Sequence, residues 1–236
     1  MRPILALMLV ASAVFGQASF EVSTIRPRDP RNIENGTLRT QFTGPTFIAN
    51  GYSLKRLILH AYDLQDFQLA GGPGWIDTER FDVAAKVPEG DDSSVDANRS
   101  RLRTLLMERF GMAVHKETKQ TTVLVLTVNK GGANLTPHRE GEPDRTSSGV
   151  QQVIAKGGEM GALARILSAR LGQPVVDKTG LGGKFDFTLK WDFNSDKGSG
   201  PSVFTALREQ LGLRLDSEKG RIDVLVVDRA EKPTDN

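Results

Sequence analysis

Cysteine is absent from this chain of 236 residues. Its absence excludes disulfide bonds, thiol catalysis, cysteine-bound zinc and iron–sulfur clusters. Histidine is scarce, and no two of His60, His115 and His138 have the i, i+4 spacing of a helical metal site. The sequence therefore predicts no metal ligand and no bound cofactor, and each histidine is expected to be structural or on the surface.

The chain also lacks an excess of charge of either sign. Lysine and arginine number 31 against 29 acidic residues, so the net charge of +2 gives no electrostatic reason to expect a nucleic-acid partner. Hydrophobic residues make up 38% and charged residues 25%, which is typical of a folded globular protein. One local cluster of basic residues is expected to form a solvated helix face. It contains Arg99, Arg101, Arg103, Arg109, Lys116 and Lys119.

Long hydrophobic runs are missing except at the N-terminus. Residues 4–15 are apolar, follow the basic Arg2 and precede the small residue Ala18. This pattern predicts a signal peptide over residues 1–18, because the run is shorter than the roughly 20 residues that a spanning helix needs. We expect an exported protein, periplasmic or secreted, with no stable membrane span after signal removal. An uncleaved N-terminal anchor is the alternative.

Several sequence blocks occur twice in the same order, at offsets that shrink from about 106 to about 101 residues. The pairs are Phe47–Gly51 with Val153–Gly157, Leu54, Leu57 and Ala61 with Met160, Leu163 and Leu167, Phe81–Val83 with Phe185–Phe187, Phe110–Met112 with Leu211–Leu213, and Val123–Leu126 with Val224–Val227. Loop deletions would produce such a drift in offset. The sequence therefore predicts one unit of roughly 80 residues that occurs twice.

Each unit has the periodicities of both helix and strand. An apolar i, i+3, i+4, i+7 stripe follows Ser53, and alternation from Phe81 to Val87 predicts a strand. A second helix ends at Gly111. We expect a β-hairpin to close each unit, over 112–128 and over 213–227, with Gly220 in the second turn. The predicted fold class is α+β, two-layer, with an internally duplicated βαβ/α-hairpin unit in two copies.

Composition sets the expected boundaries. Residues 1–18 are the signal peptide, and 19–130 hold an N-terminal segment and the first α/β unit. Residues 131–149, rich in glycine, proline, serine and charge, are predicted to be a linker. The second α/β unit spans 150–229, and 230–236 form a tail.

A set of short motifs spread over nearly the whole mature chain carries a family resemblance. The motifs are Phe20–Val22, Gly72–Ile76, Arg80–Val83, Glu108–Phe110, Val175–Leu181 and Phe185–Thr188. In these the chain resembles a soil-associated family of exported acidobacterial proteins of unknown function. The resemblance implies a protein of the bacterial cell envelope and brings no activity with it.

The second unit has a further, shorter resemblance. Its pieces are Leu163–Leu171, Phe185–Leu189, Ala206-Leu207 with Leu211–Leu213, and Ile222–Val227. In their order they resemble the short N-terminal module of secretins and TonB-dependent receptors. That resemblance implies a non-enzymatic module that binds protein partners in the periplasm, and it concerns the fold more than the function.

Catalytic motifs are lacking, since the chain has neither a G-x-S-x-G elbow nor a phosphate-binding loop, so we predict no catalytic residue. Trp75, Asp77 and Glu79 are weak candidates for contact with a ligand or partner. Trp75 could stack on a sugar or anchor a partner, and the two carboxyl groups could act as acid and base on a glycan. Packing for Trp75 and a polar turn for Asp77 and Glu79 are the interpretations we favour.

The functional prediction follows from these absences and from the fold. We expect an exported, non-enzymatic binding or docking module of the cell envelope, whose unknown protein partner adds a strand to an exposed sheet edge. The alternative is an envelope-glycan-binding or glycan-hydrolysing protein that uses Trp75, Asp77 and Glu79.

Overall fold

The computed structural model describes residues 18–28, 40–43, 45–192 and 200–234. Nearly all of the predicted signal peptide, residues 1–17, lies outside the described residues. The chain divides into two compact units. The first takes the described residues within 1–64, 71–114 and 227–236, and the second takes those within 65–70 and 115–226.

The first unit contains a four-stranded antiparallel sheet, here sheet A, in the order β1-β5-β3-β2. Its strands are β1 (Val22–Pro27), β2 (Thr40–Thr43), β3 (Thr46–Tyr52) and β5 (Phe81–Lys86). Phe81, Val83 and Ala85 are buried while the residues between them are not, which confirms the alternation predicted for β5.

The described part of this unit has the helices α1 (Leu54–Tyr62), α2 (Trp75–Thr78) and α3 (Val95–Arg109). Ser53 caps α1 as predicted, because its hydroxyl accepts the N–H of Arg56 at 3.3 Å. The predicted stripe on α1 is wholly buried. Gly111 follows α3 with φ of +51°, so the predicted helix end is confirmed as well.

The prediction of a solvated basic face on α3 is wrong for Arg101, whose side chain is only 3% exposed. Its guanidinium donates to the carboxylate of Asp91 at 2.9 Å and to the backbone carbonyl of Asp92 at 2.6 Å. The polar segment before α3 thus supplies the acceptors that allow a charged group to be buried. Arg103 is also engaged, with its guanidinium 4.9 Å from the ring centre of Tyr62.

The second unit contains sheet C, antiparallel in the order β7-β11-β9-β8. Its strands are β7 (Thr136–Pro137), β8 (Arg145–Ser148), β9 (Gln152–Gly158) and β11 (Phe185–Lys190). The segment 131–149, which we predicted to be a linker, instead provides β7 and β8. Polar residues suit these two strands because both are exposed. Helices α4 (Met160–Leu171) and α5 (Val203–Ala206) share one hydrophobic core with the buried face of β9 and β11.

The two predicted closing hairpins are wrong, because each segment is a single long strand. These are β6 (Ala113–Val128) and β12 (Leu213–Arg229), which are neighbours in a third sheet, here sheet B. Sheet B has the order β10-β6-β12-β4, where β4 is Leu69–Gly71 and β10 is Val175–Asp177. Thr118 bonds to Asp223 at 3.0 Å, and the N–H of Asn129 donates to the carbonyl of Gly212 at 2.8 Å, so β6 and β12 run antiparallel.

Gly220, expected in a turn, lies inside β12. A Cβ at this position would lie 2.7 Å from a methyl group of Val123 on the neighbouring strand. The glycine therefore permits a close approach of two strands rather than a change of chain direction.

Helices and sheets occur in both units, and the predicted α+β class is confirmed. Each unit contains a strand, a helix and a second strand that pairs with the first: β3, α1 and β5, then β9, α4 and β11. Duplication as the origin of this order stays a prediction. Among the described residues, no helix combines the length and the apolar character that crossing a membrane requires.

Candidate functional site

Two aspartates from the repeated Phe-Asp block have the same backbone partner. Asp82 accepts the N–H of Gly51 at 2.7 Å, and Asp186 accepts the N–H of Gly157 at 3.0 Å. Both glycines have positive φ, +69° and +73°, and both lie where the pairing register of the sheet shifts. Each carboxylate thus satisfies a backbone donor that the irregular ladder leaves open.

The charged neighbours of the two aspartates differ. Asp82 is 42% exposed and faces Arg28 at 3.3 Å. Asp186 is only 17% exposed and receives Lys156 at 2.8 Å and the Nδ1 of His138 at 2.7 Å. The second unit therefore has the denser ion-pair network. We call it the His138 cluster, and its members are His138, Glu142, Asp144, Lys156, Lys184 and Asp186.

The turn after β7 brings His138 to Asp186. The N–H of His138 donates to the carbonyl of Lys184 at 2.9 Å, which continues the pairing of β7 with β11. Gly141, with φ of +85°, then reverses the chain, so that the backbone carbonyl of Glu142 lies 3.2 Å from His138 Nε2. The carboxylate of Asp144 lies 3.6 Å from the same nitrogen. The imidazole, 5% exposed, is held on both edges.

The charges in the cluster favour one another's ionised forms. The hydrogen bond from Lys156 lowers the pKa of Asp186 to about 2, with further help from the Gly157 N–H and His138 and against the effect of burial. The pKa of His138 is raised, first by its hydrogen bond to Asp186 and then by the Glu142 carbonyl. Asp144 forms an ion pair with Lys184 and raises the pKa of that lysine.

Within the described residues, His138, Glu142 and Asp186 offer ligand atoms that lie within 4.8 Å of one another. The oxygens of Asp186 already accept hydrogen bonds from Gly157, Lys156 and His138. These donors occupy the directions from which a cation would bind, so the arrangement is that of a hydrogen-bonded ion-pair network. An open pocket of about 420 Å³ adjoins it, lined in part by His138, Glu142, Asp144 and Lys184.

The residues singled out from the sequence have other surroundings. Trp75 stacks on Phe110 with ring centres 6.4 Å apart and meets the ring of Phe81 edge-on at 6.2 Å, which is the packing role we favoured. Asp77 pairs with Lys55 at 3.3 Å, and Glu79 pairs with Lys232. The three candidates thus have three separate sets of partners.

The other two histidines lie outside the His138 cluster. His60 stacks on Phe47 at 6.0 Å between ring centres, and burial, helped by Arg99, lowers its pKa. His115 lies in β6 and faces Glu117 at 3.3 Å. Sequence reasoning missed His138 because the composition around it suggested a linker. The signal that could have found it is the repeated Asp and Gly pair, which marks Asp186 as an acceptor.

Replacing Asp186 with asparagine tests the electrostatics of this cluster. The pKa of Asp186 is lowered in the folded state from 3.8 to about 2, so its contribution to stability is fully present above about pH 3.8 and is lost as the pH falls towards 2. We expect wild type and Asp186→Asn to differ most in free energy of unfolding above pH 4, and the difference to shrink towards pH 2. Urea unfolding from pH 2 to 7 measures this, and a difference that does not vary with pH would contradict it.

A family model described as a protein of unknown function (DUF3738) matches residues 55–230, well over half of the chain. No curated protein matches the chain, and no solved structure does.

Proposed function

Since this chain belongs to the DUF3738 family, which is described as of unknown function, we propose its function from its own geometry. We propose that it is an exported docking module of the cell envelope. It holds an extended segment of a protein partner at the edge strand β8. The N-terminal signal pattern supports the export, and the edge of sheet C supports the docking. The observation that carries the proposal is the open backbone of β8 at Thr146.

Strand β8 lies at one end of sheet C, and among the residues that the structure describes it pairs on one side only, with β9. The N–H of Gly149 donates to the carbonyl of Gln152 at 2.8 Å in the turn between them. Hydrogen-bonded pairs alternate in an antiparallel ladder, so Ser147 and Arg145 also direct their backbone groups towards β9. Thr146 and Ser148 therefore direct theirs outwards, where a further strand would bind.

One of the two outward positions has a partner already. Arg170 of α4 donates to the carbonyl of Ser148 at 3.4 Å, while no hydrogen bond is recorded for the backbone of Thr146 within the described chain. All four residues of β8 are exposed, and none is proline. Natural edge strands are commonly protected by proline, bulges or several charges, and β8 has only Arg145. The edge thus offers the groups that strand addition uses.

Charge on the outward face of sheet C indicates the chemistry of the partner. Arg145 lies directly opposite Lys156 in the sheet, a like-charge pair that is unfavourable by itself. Lys156 is neutralised by Asp186, whereas no carboxylate is recorded beside Arg145 in the described structure. A strand added to β8 would place a side chain next to Arg145. An acidic residue at that position would pair with Arg145, as Asp186 pairs with Lys156. We therefore propose an extended partner segment that carries an aspartate or glutamate.

The glycan alternative gains no support from the contacts at Trp75, Asp77 and Glu79. The indole packs against two phenylalanine rings, and both carboxylates are paired with lysines. The His138 cluster and its pocket lie on other residues.

Replacing Thr146 with proline is the sharpest test of docking. Proline removes an N–H that points away from β9, so sheet C should fold as before. We expect the affinity for the partner to fall about tenfold or more, since losing one hydrogen bond costs roughly 1.4 kcal/mol before any clash is counted. Thr146→Val is the matched control, because it changes the side chain and keeps the N–H.

The measurement has two stages. Wild type and both variants are immobilised, and proteins captured from envelope extracts are quantified by mass spectrometry. The captured protein is then purified and titrated into each variant by calorimetry. Docking at β8 is supported if wild type and Thr146→Val bind the captured protein and Thr146→Pro does not. Equal binding of that protein to all three overturns it.

A further inference from the structure

The imidazole of His138 faces hydrogen-bond acceptors on both of its edges. We propose that His138 is a pH-dependent latch: doubly protonated, it fastens the turn 139–144 and the start of β8 to β11, and it releases them when it loses a proton. The regulatory meaning of the latch rests on the proposed docking at β8, whereas the latch itself concerns the free protein.

Both contacts require the ring to donate. Nδ1 lies 2.7 Å from a carboxylate oxygen of Asp186, and Nε2 lies 3.2 Å from the backbone carbonyl of Glu142. A carbonyl oxygen cannot donate, and Asp186, whose pKa is lowered to about 2, is a carboxylate near neutral pH and cannot donate either. A neutral imidazole has a single N–H, so only the imidazolium satisfies both acceptors at once. Losing either proton leaves one of these two contacts without its hydrogen.

Charged groups meet the ring from every side of the cluster. Asp186 on β11 holds Nδ1, and Lys156 on β9 shares that carboxylate at 2.8 Å. Asp144 lies 3.6 Å from Nε2 and is itself paired with Lys184, just before β11. On the turn itself, Arg139 faces the carboxylate of Glu142 at 3.9 Å, and Glu140 lines the same pocket. The nearest charges to the two ring nitrogens are thus carboxylates, which favour the imidazolium.

The latch reaches β8 through the chain itself. Asp144, which faces Nε2, is followed directly by Arg145, the first residue of β8. The backbone of Arg145 pairs with Lys156, whose ammonium group is bound to Asp186. When Nε2 or Nδ1 loses its hydrogen bond, the turn before Arg145 loses one of its attachments to β11, and the ion pair of Asp144 with Lys184 is the other. The pairing of Arg145 with β9 should then open more often, at the strand that we propose to receive the partner.

The direction of the pH dependence follows from linkage. The pKa of His138 is raised in the folded state. Its contribution to the stability of the closed turn is therefore fully present below the ordinary pKa of 6.5 and is lost as the pH rises through the pKa in the folded state. The latch is therefore closed in mildly acidic surroundings and open in alkaline ones. If the opened turn leaves His138 with an ordinary pKa, the opening constant rises by the ratio of the acid dissociation constants of His138 in the open and closed states.

Nuclear magnetic resonance of the free, full-length mature protein tests the latch. The ring signals of the three histidines are titrated from pH 5 to 9, and protection factors for the Arg145 and Ser147 amides are measured over the same range. We expect His138 to titrate above 6.5 and the protection of both amides to fall with the same midpoint, by a factor equal to the ratio of the acid dissociation constants of His138 in the open and closed states. His115, in β6, serves as the internal reference.

Two variants complete the test. His138→Gln keeps the fold but cannot gain a proton, so the protection of the Arg145 amide should no longer vary with pH. Thr146→Pro should leave the titration of His138 unchanged even if it abolishes docking, which separates failure of the latch from failure of the proposed function. A His138 midpoint at or below 6.5, protection that does not follow its titration, or stoichiometric zinc binding that shifts its signals would each overturn the latch.

Discussion

Replacing Phe110 with alanine is expected to lower the free energy of unfolding by about 3–5 kcal/mol. Phe110 is fully buried, with its ring edge-on to Phe81 at 5.2 Å between centres and stacked on Trp75 at 6.4 Å. Truncation removes the transfer free energy of the ring and leaves a cavity beside the rings of Trp75 and Phe81, which already contact each other and can fill it only by shifting.

Phe110→Leu is the matched control, because leucine stands at the counterpart that the repeated sequence blocks predict for Phe110, the buried Leu211. We expect a cost below about 1.5 kcal/mol for this swap, since most of the apolar volume is retained. Urea unfolding followed by the fluorescence of Trp75, in a Trp191→Phe background, measures both. Equal costs for alanine and leucine would contradict the prediction, because they would show that the apolar volume leucine retains does not offset the loss of the ring.

Replacing Gly157 with alanine is expected to lower the free energy of unfolding by about 2 kcal/mol or more. Its φ of +73° is unfavourable for a residue with a Cβ, and the added methyl group would collide with the carboxylate of Asp144 and lie 3.1 Å from the ring of His138. The substitution therefore strains the backbone and pushes the turn 139–144 away from β9.

Two other glycines separate these effects. Gly51→Ala has the same kind of backbone strain, with φ of +69°, but its methyl group would meet the flexible end of Arg28 at 3.0 Å, so only the backbone cost is expected. Gly161→Ala lies on α4 with no atom within 4 Å of the new Cβ and should raise stability by roughly 0.5–1 kcal/mol. Urea unfolding of the three variants gives the order, and a harmless Gly157→Ala would contradict the placement of Asp144.

Local patterns in the sequence were sufficient for the elements whose periodicity or capping is unambiguous. The stripe after Ser53 and the alternation from Phe81 depend only on neighbours along the chain, and both helix α1 and strand β5 appear where predicted. The closing hairpins failed for the opposite reason. Each segment has strand character throughout, and no local signal states that β6 pairs with β12, about 100 residues further along the chain, rather than with itself.

The sequence indicated the two aspartates of the candidate site but not their partners. The repeated Asp82 and Asp186 marked equivalent strand positions, but their acceptor role depends on Gly51 and Gly157 across the sheet. His138 could not be placed by spacing, since it lies 48 residues from Asp186 in a segment of linker-like composition. Trp75, Asp77 and Glu79 drew attention because they are close in sequence, whereas side-chain direction gave each of them a different partner.

The pairing of β6 with β12 has a consequence for how the chain folds. Thr118 and Asp223, which meet across these strands, are 105 residues apart in sequence. Contacts of such high sequence separation form only after a large loop has closed. The conformational entropy lost in closing this loop slows folding, because it precedes the stabilising contacts. Until the last strand arrives, β6 presents a long unpaired edge that invites association with other chains. Correct folding therefore benefits when the chain is kept extended and apart from its copies until β12 has been synthesised.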